Sequence, residues 1–247
     1  MVDIMSIMEN DISMLKESSL FQRSSALVPA LVAGLIGILL LGLGIPRLCA
    51  ALQSLEAREV VWNVYAEANV PQTTLSHAAV ELAAADAWVR DGEREGDRSL
   101  LLMHQAVLAS TPTEQAKLWL AAEDAAVSAL SVAPGQPSVW FRLAVMREQR
   151  EDKAGAVGAL RMSMLSGSYV PALMIPRIEQ GLRLLPMMDH ETLDLFKRQL
   201  RLTWAAKPEF IVTLSTRPGA GPLVREALDE LNDSELAQFQ RLHGTKP

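Results

Sequence analysis

The stretch PSVWFRLAVMREQREDKAGAVGALRMSMLS, residues 137–166, decides the fold. Trp140, Leu143 and Ala144 recur at three- and four-residue steps, and Ala156, Leu160 and Ser163 then repeat that spacing. This is the period of a helix with one apolar stripe, met twice in succession. It predicts two helices, Pro137–Glu151 and Asp152–Ser166, folded as a hairpin. A large residue, a Leu and a small residue on the first helix meet small and large residues on the second. Such a hairpin keeps a face that it cannot bury alone, and small residues let the next hairpin pack close to it.

Working outward, the spacing matches the tetratricopeptide pattern. Trp140, Leu143, Ala144, Ala156 and Leu160 are its expected repeat core. Upstream, Ala122, Ala129 and Pro134 fall where the second helix and closing proline of a preceding repeat belong, so 98–133 reads as a degenerate repeat with an insertion near Ser110–Thr113. No strict period continues elsewhere, and a generic array of helical hairpins would carry nearly the same signature. The remaining segments also read as helices. Leu48–Val70 carries Leu52, Leu55, Glu59, Trp62 and Tyr65 at helical steps and ends before Pro71. A helix capped by Thr74 follows, with Ala78, Leu82, Ala85 and Val89 on its apolar face. The charged run Arg90–Asp97 reads as a loop, because Gly92 and Gly96 act as breakers and Asp97 as a cap. Helices are expected next at 98–110, at 113–132 capped by Thr113, and at 170–185, 191–206, 222–231 and 234–242. Residues 208–215 form a short helix, because a lone β-like run has no partner strand.

Ahead of this array lies SSALVPALVAGLIGILLLGLGIP, residues 24–46, with no charge between Arg23 and Arg47. About 20 apolar residues at a 1.5 Å rise cover the roughly 30 Å hydrocarbon core of a bilayer. The domain reading is therefore an N-terminal tail at 1–24, a transmembrane helix at 25–46 and a helical, tetratricopeptide-like domain at 47–247. The fold class is all-α. A cleaved signal peptide is the rival, since Cys49-Ala50-Ala51 offers a small-residue cleavage site. Against it, the apolar stretch is long and the tail carries Asp3, Glu9, Asp11 and Glu17 against Lys16 and Arg23. Pro46, Arg47 and Leu48 are poor company for a lipidated Cys49. Basic residues nearly tie across the span, with Lys16 and Arg23 before it and Arg47 and Arg58 after it. A short tail before a large C-terminal domain behaves as a signal anchor, which places the N-terminus in the cytoplasm. Within the span, Ala26, Ala30 and Gly34 form one small-residue ladder, and Ala33 and Gly37 another. Such ladders bring two helices close and keep a homo-oligomer through the span open, although Gly and Ala are common in spans anyway. Ile4, Met8, Ile12 and Leu15 share one helical face of the tail, which suits a partner or a solvated segment better than anionic lipid.

Composition narrows function. Apolar residues make up 49%, enough for a sizeable core, and aromatics only 5%, which favours helices over strands. Net charge is −6 without a Lys/Arg run, which argues against a nucleic-acid partner. The single cysteine, Cys49, excludes an intrachain disulfide and a cysteine zinc site, and a cysteine-free remainder suits an oxidising compartment. His77, His104, His190 and His243 are widely separated and lack metal-binding spacing. Asp189-His190-Glu191 begins a helix, where acids serve as caps. Gly219-x-Gly221 is followed by Pro222 with no third glycine, so a phosphate loop is disfavoured. No nucleophile-elbow or metalloprotease motif occurs. No catalytic, cofactor or metal residues are expected, and an enzyme is not.

One resemblance adds to this reading. Pro134-Gly-Gln-Pro-Ser-Val-Trp140-Phe-Arg-Leu-Ala144, Ser163-Met-Leu-Ser-Gly-Ser168, Arg177, Gly181-Leu182, Arg198-Gln199, Trp204 and Lys207-Pro208-Glu-Phe210 follow one another along 118–242. With the span, they resemble the single-pass, tetratricopeptide-like accessory proteins of bacterial exopolysaccharide loci, the VpsP type. The resemblance implies an inner-membrane protein with a periplasmic domain that helps assemble or position polymerisation and export machinery. Its motifs are structural, so no active-site residue is implied. The expected function is a membrane-anchored protein-binding scaffold whose partners are the bilayer and other membrane or periplasmic proteins. The alternative is an assembly factor or subunit of another membrane complex, bound largely through the span.

Overall fold

A computed structural model describes Pro29 and residues 31–229 and 233–244. Among the described residues every regular element is helical and none is a strand. The chain divides into two compact units at Leu52/Gln53. The expected tail and its Ile4, Met8, Ile12 and Leu15 face lie outside the described residues, as do Ala26 and Ala30.

The first unit is dominated by α1 (Leu31–Gln53), 23 residues or about 35 Å at the helical rise. It is long and apolar enough to cross a membrane, and its side chains are left open: Leu35 is 67% and Ile38 70% exposed. The helix does not stop near Pro46 but runs through it to Gln53. Pro46 lacks an N–H, so the Gly42 carbonyl loses its helical donor. One residue on, the Arg47 guanidinium donates to the Leu43 carbonyl at 2.9 Å.

The second unit is built from α2 (Leu55–Tyr65), α3 (Gln72–Trp88), α4 (Gly92–Leu108), α5 (Pro112–Val132), α6 (Pro137–Gln149) and α7 (Lys153–Ser166). It continues with α8 (Pro171–Leu184), a 3-10 turn (Leu185–Met187), α9 (His190–Ala206), α10 (Pro208–Ser215), α11 (Gly221–Leu228) and α12 (Asp233–Gly244). Neighbours in sequence are the main neighbours in space: α4 lies along α5 and α6 along α7. Three-residue turns join each of these pairs, so the helices within a pair run antiparallel. The result is a helical-hairpin array. In the α6–α7 turn Glu151 takes φ +65°, and the Asp152 carboxylate caps α7 by accepting from the Gly155 N–H at 2.9 Å.

Two local expectations are corrected. Residues 90–97 are not a loop: α4 begins at Gly92, with Asp91, not Asp97, accepting from the Glu93 N–H at 2.9 Å. The two glycines are contact points. A Cβ on Gly92 would lie 2.5 Å from the Ala133 Cβ and 2.8 Å from the Ala129 carbonyl oxygen, and one on Gly96 2.9 Å from Val139 Cγ2. The caps also move. Thr111, not Thr113, accepts from the Glu114 N–H at 3.2 Å with Pro112 in the first turn, and α3 starts at Gln72 rather than at a Thr74 cap.

A continuous core runs from Ala57 in α2 to Leu228 in α11. Alanine provides much of it: Ala122, Ala125, Ala126 and Ala129 of α5 are buried together, which lets the helix backbones approach. Beyond α7 the packing changes character. Gly181 faces the Phe196 ring at a distance where a Cβ would meet Cε2 at 2.2 Å. Trp204 meets Phe239 edge-on at 5.5 Å.

Candidate functional site

In α2 the stripe Ala57, Val61 and Val64 faces the core. Of the stripe that periodicity selects, Leu55, Glu59, Trp62 and Tyr65 of α2 face outward, and Leu52 is exposed near the end of α1, so the period is right and the phase is not. Small Ala and Val side chains allow α2 a closer approach to its neighbours than the large residues would. The displaced aromatics then serve another surface. Trp62 is 73% and Tyr65 53% exposed, and with Arg58 and Val61 they form one wall of a groove of about 700 Å³. The opposite wall is the first turns of α4, which present Glu93 and Asp97.

Arg142 of α6 lies buried beside this groove. Its Nη1 donates to the Tyr65 hydroxyl at 3.4 Å and its Nη2 to the Gly96 carbonyl at 2.8 Å. The first bond fixes the tyrosine and the second ties α6 to α4. Burial raises the Asp97 pKa above its ordinary value, helped by the negative charges of Glu93 and Asp91, while Arg142 and Arg58 oppose the shift. Burial, and then Arg142, lowers that of His104 on the same helix. The groove thus offers two exposed aromatic faces, one guanidinium and two carboxylates. Sequence reading misses it because Gly92 and Gly96 make 90–97, with Glu93 and Asp97, read as a loop. The available signal was that Trp62 and Tyr65 fall off the Ala57–Val61–Val64 stripe.

Of the expected repeat core, Leu143, Ala144, Ala156 and Leu160 are buried. They sit together in the main cluster through the pairing of α6 with α7. Trp140 is placed differently: it is only partly buried against that cluster, and its indole N–H donates to the Pro134 carbonyl at 2.8 Å. Val139 takes the buried position beside it. On α1, Ala33 and Gly34 are exposed and Gly37 partly so, and a Cβ on either glycine would meet nothing within 4 Å.

The histidines remain apart. His190 Nδ1 pairs with Asp194 Oδ2 at 3.0 Å, Asp189 caps α9 through the Thr192 N–H at 2.8 Å, and the His243 side chain lies outside the described set. His77 does join a group that spacing could not show. Its Nε2 lies 3.3 Å from Glu81 Oε1, and Glu56 of α2 brings a third donor, all within 4.8 Å of one another. Structural zinc sites close with four ligands and catalytic ones with three plus water. The His77–Glu81 contact is accounted for as an i,i+4 pair on one helix face.

The chain matches no known family, no curated protein and no solved structure.

Proposed function

We propose that the chain is a membrane-anchored protein-binding scaffold, fixed by α1 in a bacterial inner membrane with its helical array in the periplasm. In this reading it is a binding module, not an enzyme, and it serves as an accessory factor in exopolysaccharide assembly. The groove between α2 and α4 carries the proposal. Exposed Trp and Tyr are the residues most enriched where partner proteins dock, and two carboxylates beside them suit a basic residue of the partner. The cysteine-free array supports an oxidising compartment. The pathway rests on the sequence resemblance alone.

The competing reading, an assembly factor held through its span, draws on the open Ala33–Gly34 face of α1. A photo-crosslinking residue placed at Trp62 or at Gly34 in cells separates the two. The groove reading expects one discrete adduct from position 62 that disappears in the Tyr65→Ala background. Adducts from position 34 alone would replace it with the span reading.

A further inference from the structure

His77 and Glu81 stand one turn apart on α3, and Glu56 reaches them from the first turn of α2. One donor atom from each lies within 4.8 Å of the other two. The i,i+4 spacing accounts for the meeting of His77 with Glu81. It does not account for Glu56, a second carboxylate brought to the same point from another helix. Among the described residues neither carboxylate pairs with a Lys or an Arg. Glu81 Oε1 has the His77 Nε2 at 3.3 Å, and Oε2 is buried with no donor. Two carboxylates so placed repel each other unless a cation lies between them. Because Oε2 is closed off, compensation of the Glu81 charge falls on Oε1, the oxygen that faces His77.

The spacing suits a metal ion. Two ligands each bound to one zinc ion at the tetrahedral angle stand roughly 3.3 Å apart, given bonds of about 2.0–2.1 Å. The His77 Nε2 and Glu81 Oε1 atoms already have that separation. Glu56 is the ligand that must close in, and its side chain is exposed and rotatable, so α2 need not move. One imidazole nitrogen with two carboxylate oxygens favours zinc over magnesium or calcium, which prefer oxygen alone.

We propose that Glu56, His77 and Glu81 bind one zinc ion, with water in the fourth position, and that the ion clasps α2 to α3. The two helices pack on each other, and the three ligands come together only when they do. Zinc binding therefore stabilises the folded array. The site shares no residue with the α2–α4 groove, and either can fail without the other.

The test uses the full-length protein in detergent, without an oligohistidine tag and stripped with a chelator that is then removed. Calorimetric titration with zinc chloride should show one saturable site per chain, and magnesium chloride none. Zinc should also raise the thermal midpoint. His77→Ala and Glu56→Gln alter exposed side chains and should fold normally by circular dichroism. Each should weaken zinc binding at least about tenfold, since even partners outside the ligand shell are worth 10–100-fold. His190→Ala is the control. It removes a similar His–acid pair, with Asp194, that has no third ligand among the described residues, and zinc binding should be unchanged. Absence of saturable zinc binding, equal binding of magnesium, or undiminished binding by His77→Ala or Glu56→Gln overturns the proposal. So does a bound zinc that leaves the thermal midpoint where it was.

Discussion

Asp97 holds a carboxylate where burial outweighs the two nearby guanidinium groups, so its folded-state pKa stands above the ordinary 3.8. An acid shifted upward favours the folded state below its unfolded pKa and loses that contribution as pH rises through the folded value. At neutral pH the charge is therefore a liability to the fold, one retained in the wall of the groove. Asp97→Asn is expected to melt at a higher temperature than the parent at pH 7, because it removes the carboxylate that burial disfavours. The two should nearly coincide near pH 3, where both side chains are neutral. Melts at the two pH values check this, and a destabilised Asp97→Asn at pH 7 would mean that Arg142 and Arg58 dominate instead. Sequence pointed to Asp97 as a helix cap. Its charge environment depends on Arg142, which is 45 residues away in the chain, and no local pattern encodes that.

At the scale of the element, α4 shows how tertiary contact overrides propensity. Gly96 weakens the helix locally, by roughly 1 kcal/mol relative to Ala in an interior position, and Gly92 stands at its first position. They are kept because α5 and α6 pass too close for a Cβ. Gly92→Ala should therefore destabilise the protein despite the better helix former. The added atom meets the Ala129 backbone and the Ala133 Cβ, neither of which can rotate away. Overpacking of this kind costs about 1–3 kcal/mol, which exceeds the propensity gain. Urea melts followed by helical circular dichroism give the sign, and a raised midpoint would show that α4 tolerates displacement from α5. The α6–α7 hairpin is the opposite case. Leu143, Ala144, Ala156 and Leu160 were legible in the sequence because both helices bury the face that periodicity selects. Trp140 belongs to the same stripe but lies at its N-terminal end, where its indole N–H finds the Pro134 carbonyl and part of the ring stays in solvent.

At the scale of the whole molecule, α1 is long and apolar enough to cross a membrane, and its apolar side chains are open among the described residues. The full-length protein is expected to stay in the membrane pellet after a carbonate wash. Leu39→Arg near the middle of the apolar run should reduce the inserted fraction, since a central Arg costs about 2.5–3.5 kcal/mol on insertion scales. A soluble form beginning near residue 52 would show that the run is a cleaved signal and remove the anchor. What the sequence by itself determined is the all-α class, the apolar run long enough to cross a bilayer, and the short helix at 208–215 where a β-like pattern competed. These follow from composition and from patterns read within a single segment. Tertiary structure alone decided the phase of α2, the continuity of α4 and the groove between them. The physical reason is common to all three. A helical period says that one face will be buried, but which face it is, and whether a glycine is a break or a contact, depends on the size and charge of the helix that arrives opposite.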